Sequence, residues 1–356
     1  MGLARGIFVV DTHVHGQRHA FKLRERENVD SKYADLGSGM GVTTTYANTD
    51  RLLYHMDRYG IDVSVLQPAF AMTNEINKQM IKAHPDRLVS MVWDVETRRK
   101  EKETGKWSVD EAVEELRREL DTGLYVGIGE GMPGGHTIRP GGWDARLEEI
   151  CKIMDLCREY KVMATYHCGF PAGYAGSLEY ATVQGHYDHD WDNPFRAGQL
   201  AAMYPDVPIL LLHSGIEGSG YRTDIYEKCL AVARSHHNLY LECGMWWAEL
   251  YEKPLKDPNI GCEKLVYGTD WGAASTPQSW MPGCVPETFT NQDINSGLPA
   301  HQIDIWGWSL REVGRLNIPQ DDLNLILGGN ACRLMNIKTP HTRLFKHYIK
   351  KDPHHG

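Results

Sequence analysis

Gly6-Ile7-Phe8-Val9-Val10-Asp11-Thr12-His13-Val14-His15 is an apolar run that ends in polar, chemistry-bearing residues. In an extended strand, side chains two apart share a face, so His13 and His15 aim at one point. A histidine pair of this spacing is weak on its own, since most isolated histidines at the end of an apolar run are hydrogen-bonded core residues. The pair gains meaning only if the rest of the chain brings further donors to the same place.

Seven more short runs rich in Val, Ile, Leu and Tyr follow: Val63–Gln67, Leu88–Trp93, Leu124–Gly129, Val162–Tyr166, Ile209–Leu212, Leu239–Leu241 and Leu265–Tyr267. Segments of helical period lie between them, among them Asp50–Tyr59, Val109–Leu120, Ala145–Tyr160, Phe195–Tyr204 and Asp224–Ser235. Short strands alternating with helices indicate a parallel sheet. Eight such alternations predict an α/β fold, a closed (β/α)8 barrel spanning residues 1–337 as one domain, with a tail over 338–356. Two stretches are too long for plain connections. Gly16 to Tyr46 follows the first strand, with Arg18, His19 and Tyr33, and Gly272 to Pro299 follows the eighth, with Trp280 and four prolines. Both are expected as insertions on the active-site side, as lids or as oligomer contacts.

In such a barrel the C-terminal strand ends converge at one mouth. Tyr166-His167-Cys168-Gly169 ends the fifth run and Leu212-His213-Ser214-Gly215 the sixth, while Tyr267-Gly268-Thr269-Asp270-Trp271 ends the eighth. His13, His15, His167, His213 and Asp270 therefore form a candidate donor set for a divalent ion such as Zn, Mn or Fe. Glu130 ends the fourth run; a carboxylate there could bridge two cations about 3.5 Å apart, offsetting their repulsion, or simply pair with a nearby base. Glu242 and Asp94, at the ends of the seventh and third runs, are candidates to support ligands or orient substrate.

Composition narrows the partners. The net charge of -9, from Lys+Arg 38 and Asp+Glu 47, disfavours nucleic acid. No apolar run approaches the roughly 20 residues of a membrane span, and no signal-peptide pattern is present, so a cytoplasmic protein is expected. Eight cysteines without a CxxC pair argue against a zinc ribbon or redox motif and for reduced thiols.

Taken together, Asp11-Thr12-His13-Val14-His15, the segments around His167, His213 and Asp270, and Ile326-Leu327-Gly328-Gly329-Asn330-Ala331 resemble the amidohydrolase superfamily over nearly the whole chain. Within it, the chain is similar to the group that includes aminocarboxymuconate semialdehyde decarboxylase. The resemblance implies a metal-dependent hydrolase type of barrel in which His13, His15 and His167 ligate metal. It makes Asp270 a ligand or the carboxylate handling the proton of an activated water, and His213 a second-metal ligand or an acid/base. The segment from Ile326 resembles the start of the family's closing helix. Glu130 departs from the mononuclear decarboxylases and resembles the bridging carboxylate of TatD-type two-metal hydrolases; a dinuclear-iron oxygenase branch on the same fold also offers a parallel.

The expectation is therefore an enzyme holding one or two divalent ions, a hydrolase or non-oxidative decarboxylase of a small, carboxylated organic substrate, with His213 and Asp270 as catalytic residues. Arg18, Arg196 and His189 are candidates to bind a substrate carboxylate, or ordinary surface residues. Two other readings stay open. One is an oxygen-activating hydroxylase with Fe/Fe or Fe/Mn; the other is a non-catalytic barrel partnering an active paralogue. A homo-oligomer, or a hetero-oligomer with such a paralogue, is expected.

Overall fold

The computed structural model describes residues 7–23, 40–68, 72–104, 106–130, 142–168, 193–217, 220–221, 223–272 and 305–338. Strand β1 (Val10–Val14) is followed by an antiparallel pair, β2 (Gln17–Leu23) and β3 (Met40–Ala47). The chain continues through β4 (Val63–Leu66), β5 (Leu88–Val92), β6 (Tyr125–Ile128), β7 (Met163–His167) and β8 (Ile209–Leu212). A small pair, β9 (Ile216–Glu217) and β10 (Gly220–Tyr221), precedes β11 (Leu239–Glu242) and β12 (Leu265–Val266).

Eight strands form one sheet in the order β1-β4-β5-β6-β7-β8-β11-β12, every pair parallel. The last gap is spanned beyond β12, where Thr12 N–H donates to the Tyr267 carbonyl at 3.0 Å and His15 N–H to that of Trp271 at 2.7 Å. The sheet is thus a nearly closed barrel with the expected (β/α)8 architecture. Its closing contacts run through the residues that flank Asp270.

Alternation along the strands sorts the core into two layers. Val10, Val63, Val65, Met91, Met163, Leu210, Leu212, Tyr240 and Val266 form one buried cluster, completed by Ala331 and Met335. The opposite faces join the helices in a larger cluster that includes Leu52, Leu116, Ile153, Leu200 and Leu230.

The expected runs coincide with the observed strands to within a few residues, and the helix Val109–Leu120 matches outright, with the Ser108 side chain accepting from Glu111 N–H. The helices Asn74–Ala83, Val95–Thr104 and Ile305–Gly314 are not among those expected. The second, Val-Glu-Thr-Arg-Arg-Lys-Glu-Lys-Glu-Thr, carries almost no apolar stripe for a period to show. The closing helix also starts earlier than expected. It begins at Gln320 behind Pro319, and Ile326–Ala331 lies in its middle, across a wider π turn over Leu325–Gly329.

Of the insertion after the first strand, the described part is the β2–β3 pair. The insertion after the eighth strand, the tail beyond residue 338, His189 and the side chain of Arg18 lie outside the described residues. Among the described residues, no helix is long and apolar enough to cross a membrane.

Candidate metal centre

A break in register between Asp11 and Val14 lets β1 present both histidines to the mouth of the barrel. His15 Nδ1 lies 2.9 Å from the Gln67 carbonyl, which can only accept, so Nδ1 donates there and Nε2 is the nitrogen turned to the centre. His13 Nδ1 lies 3.1 Å from each oxygen of Glu242, and its Nε2 is buried without a hydrogen-bond partner. Both rings therefore offer Nε2 inward, each held by an acceptor behind it, which is how metal-ligating imidazoles are fixed.

What those nitrogens face is carboxylate. His15 Nε2 is 2.9 Å from Asp270 Oδ1 and 3.4 Å from Glu130 Oε2, while His13 Nε2 is 3.4 Å from Asp270 Oδ1 and 3.7 Å from Glu130 Oε1. His167, the last residue of β7, places Nε2 3.7 Å from Glu130 Oε1. Its ring centroid is 4.5 Å from that of His213, which follows β8 and lies 5.0 Å from His13.

Two donor triads result, His13/His15/Asp270 and Glu130/His167/His213, each with its donor atoms within 4.8 Å of one another. Bonds of about 2.1 Å in tetrahedral array put neighbouring donors about 3.4 Å apart, the spacing seen here. Glu242 also comes within reach of His13 and His213. Its oxygens, however, are taken by His13 Nδ1 and by the backbone N–H of His213 at 2.7 Å, so it holds donors in place from behind.

The backbone bends sharply to deliver two members of this set. His213, Ser214 and Asp270 have φ of 60°, 46° and 56°. For residues other than glycine such left-handed conformations cost of order 1–3 kcal/mol each and persist where the surroundings over-determine them. Asp11 is one such determinant. It is wholly buried, and its carboxylate accepts from the backbone N–H groups of His13 (2.9 Å) and Thr269 (3.1 Å), the Thr269 hydroxyl and Trp306 Nε1. One side chain thereby ties the strand bearing His13 to the residue before Asp270.

A family model for amidohydrolases matches residues 10–337. The chain belongs to the amidohydrolase family. No curated protein matches it in sequence. Similar solved structures include a 2,6-dihydroxybenzoate decarboxylase complexed with 2,6-dihydroxybenzoate, at 14% identity and TM-score 0.52, covering 93% of this chain and 99% of that one. A dihydroxybenzoic acid decarboxylase from a Polaromonas species, holding manganese and 2-nitroresorcinol, aligns at 14% identity and TM-score 0.52 over 94% of this chain and 98% of the other. A 5-carboxyvanillate decarboxylase from Sphingomonas paucimobilis aligns at 12% and 0.51 over 93% and 100%. At these identities the likeness shows the barrel fold.

In this amidohydrolase, electrostatics favour a cation at the mouth. Burial disfavours a charged His13, yet the carboxylates of Glu242, Asp270 and Glu130 outweigh it and push the ring up to about 10. Burial likewise opposes ionisation of Asp270, and His13, His15 and His213 overcome it, holding the carboxyl below its usual range. His213 is held well below the ordinary imidazole value by burial and by the neighbouring His167, and is neutral. Two buried carboxylates, Glu242 and Asp270, and the part-buried Glu130, with unpaired ligand atoms at His13 Nε2, His213 Nδ1 and Glu130 Oε2, are costly unless a positive charge joins them. The donor set thus fits a divalent ion.

All six expected site residues, His13, His15, Glu130, His167, His213 and Asp270, meet at this mouth. Glu242 supports it directly. Asp94 does not point there: it accepts from Arg98 Nε at 2.9 Å and Trp107 Nε1 at 2.6 Å. Arg196 lies over the Trp143 ring at 5.1 Å. Sequence reading missed Asp11 and Gln67. Each is a polar residue at the end of an apolar run, which was the available signal.

Proposed function

We propose that the chain is a divalent-metal-dependent hydrolase or non-oxidative decarboxylase of a small, carboxylated organic substrate, with a centre for two cations. The observation that carries this reading is the pair of donor triads joined by Glu130, whose oxygens lie 3.4 Å from His15 and 3.7 Å from both His13 and His167. His13, His15 and Asp270 would hold one ion and His167 and His213 the other, with Glu130 between them. A bound dication lowers the pKa of water and polarises a substrate oxygen.

The chain's own groups then divide the work. Asp270, ionised at neutral pH, accepts or returns a proton at Oδ1. His213, neutral with Nδ1 unpartnered, either ligates or polarises the substrate; in a decarboxylation the proton that replaces CO2 would come from Asp270 once it has taken one from water, or from His213 after it has itself been protonated. Glu242 keeps the proton of His13 on Nδ1, and the Gln67 carbonyl does the same for His15.

The second reading, an oxygen-activating hydroxylase with Fe/Fe or Fe/Mn, draws on the same six donors, which suit iron as readily as zinc or manganese. Metal analysis of protein purified with and without air, joined to mass analysis of products from dihydroxybenzoates and their esters, separates the readings. Loss of CO2 or gain of water without oxygen uptake supports the first, and insertion of one oxygen atom supports the second. Absence of any bound dication under saturating Zn, Mn or Fe refutes both and leaves the non-catalytic partner of a paralogue.

A cytoplasmic setting is part of the proposal, supported by seven free cysteines among the described residues. So is an oligomer, with itself or with a paralogue, which light scattering after co-expression would test.

A further inference from the structure

Beside the metal centre the rim carries a second set of unused donors. Along β5, Val89 and Met91 face the barrel interior, and Trp93 is the next residue of that alternation. The Val92 carbonyl accepts Gly129 N–H at 3.0 Å and Val92 pairs with Ile128, so Trp93 comes level with Gly129, the residue before Glu130, on the neighbouring strand. Trp93 is only 8% exposed, and its indole Nε1 is buried with no hydrogen-bond partner. A buried N–H left unpaired is rare and costs free energy unless something completes it.

Arg98 lies flat over the same indole, its Cζ 3.6 Å from the ring centroid. Asp94, wholly buried and held by Trp107 Nε1, takes only Arg98 Nε, at 2.9 Å. The outer nitrogens Nη1 and Nη2 have no partner among the described residues, and the side chain is 16% exposed. A guanidinium fixed by a carboxylate at Nε and by an indole against its face, with its outer nitrogens unpaired among the described residues, is preorganised for a planar, two-oxygen anion.

We propose that Trp93 and Arg98 form an organic-carboxylate subsite at the rim beside Glu130, positioning a carboxylated substrate over the metal centre. The proposal rests on the reading of a carboxylated substrate given above, and its test is independent of turnover and of metal. Titration calorimetry of chelator-treated and manganese-loaded protein with benzoate, benzamide and inorganic phosphate reads it directly.

Wild type is expected to bind benzoate even after chelation, at least about tenfold more tightly than benzamide or phosphate. Arg98→Met should weaken benzoate about tenfold or more, with manganese stoichiometry unchanged. Trp93→Phe, which keeps the packing and removes only the N–H, should weaken it several-fold, and it decides the matter if Arg98→Met fails to fold. Benzoate affinity unaltered in a folded variant, benzoate binding only to manganese-loaded protein, or phosphate binding as tightly as benzoate would overturn the subsite. A chain that takes up no metal yet loses benzoate in these variants would sink the metal reading and keep the subsite.

Discussion

Replacing Glu242 with Gln alters the group that backs His13 and His213 together. The carboxylate accepts from His13 Nδ1 at 3.1 Å through either oxygen and from His213 N–H at 2.7 Å. A carboxamide of the same shape has one acceptor, so its NH2 must face one of those donors. If it faces the His213 amide, a charge-assisted bond worth about 1.5–3 kcal/mol is lost. If it faces His13, the ring must move its proton to Nε2, and that nitrogen can no longer ligate. Either way the centre loosens, and loss of such a support costs about 10–100-fold in metal affinity, or about 1.4–2.7 kcal/mol. Protons work in the opposite direction. With Glu242 neutralised, the His13 pKa falls from about 10, so at pH 7 the metal has less proton to displace. The affinity gap between wild type and Glu242→Gln should therefore widen as pH rises from 7 to 9. Competition of Mn or Zn against a fluorescent chelator at several pH values measures it, with melting temperature in excess chelator as the check on folding. Equal metal affinities in a folded variant across that range would refute the reasoning.

Three further outcomes are expected. His13→Ala, His15→Ala and His167→Ala should each lower metal content by elemental analysis along with activity, because each opens a triad; full occupancy in all three would misplace the site. Glu130→Gln removes a negative charge between the triads, so stoichiometry should fall from two ions to one per chain, and a wild type that never exceeds one would end the two-cation reading. At Gly268, an added Cβ would come within 2.5 Å of Glu242 Oε1 and 2.7 Å of Thr12 Oγ1. Gly268→Ala should therefore displace Glu242 and reproduce the weaker metal binding of Glu242→Gln, and wild-type affinity in that variant would count against Glu242 as the support.

The sequence alone determined the barrel, because a strand buried on both faces is a nearly continuous apolar run. Ile209–Leu212 is the clearest case, and eight such runs with helical spacers leave few other ways to bury them. It also determined which residues reach the mouth, since His13, His15, Glu130, His167, His213 and Asp270 all stand at the ends of those runs. Local pattern did not reach the helix Val95–Thr104, whose polar composition hides its period, nor the true start of the closing helix at Gln320. Only the tertiary structure decided how the donors divide. That Glu130 stands between two triads, that Glu242 backs His13 and His213 together, and that Asp94 turns away to hold Arg98 against Trp93 depend on pairings across strands far apart in sequence. The left-handed backbones at His213 and Asp270 likewise come from contacts that close the barrel, because even Asp and His, which visit that region more than most residues, adopt it in only a minority of cases.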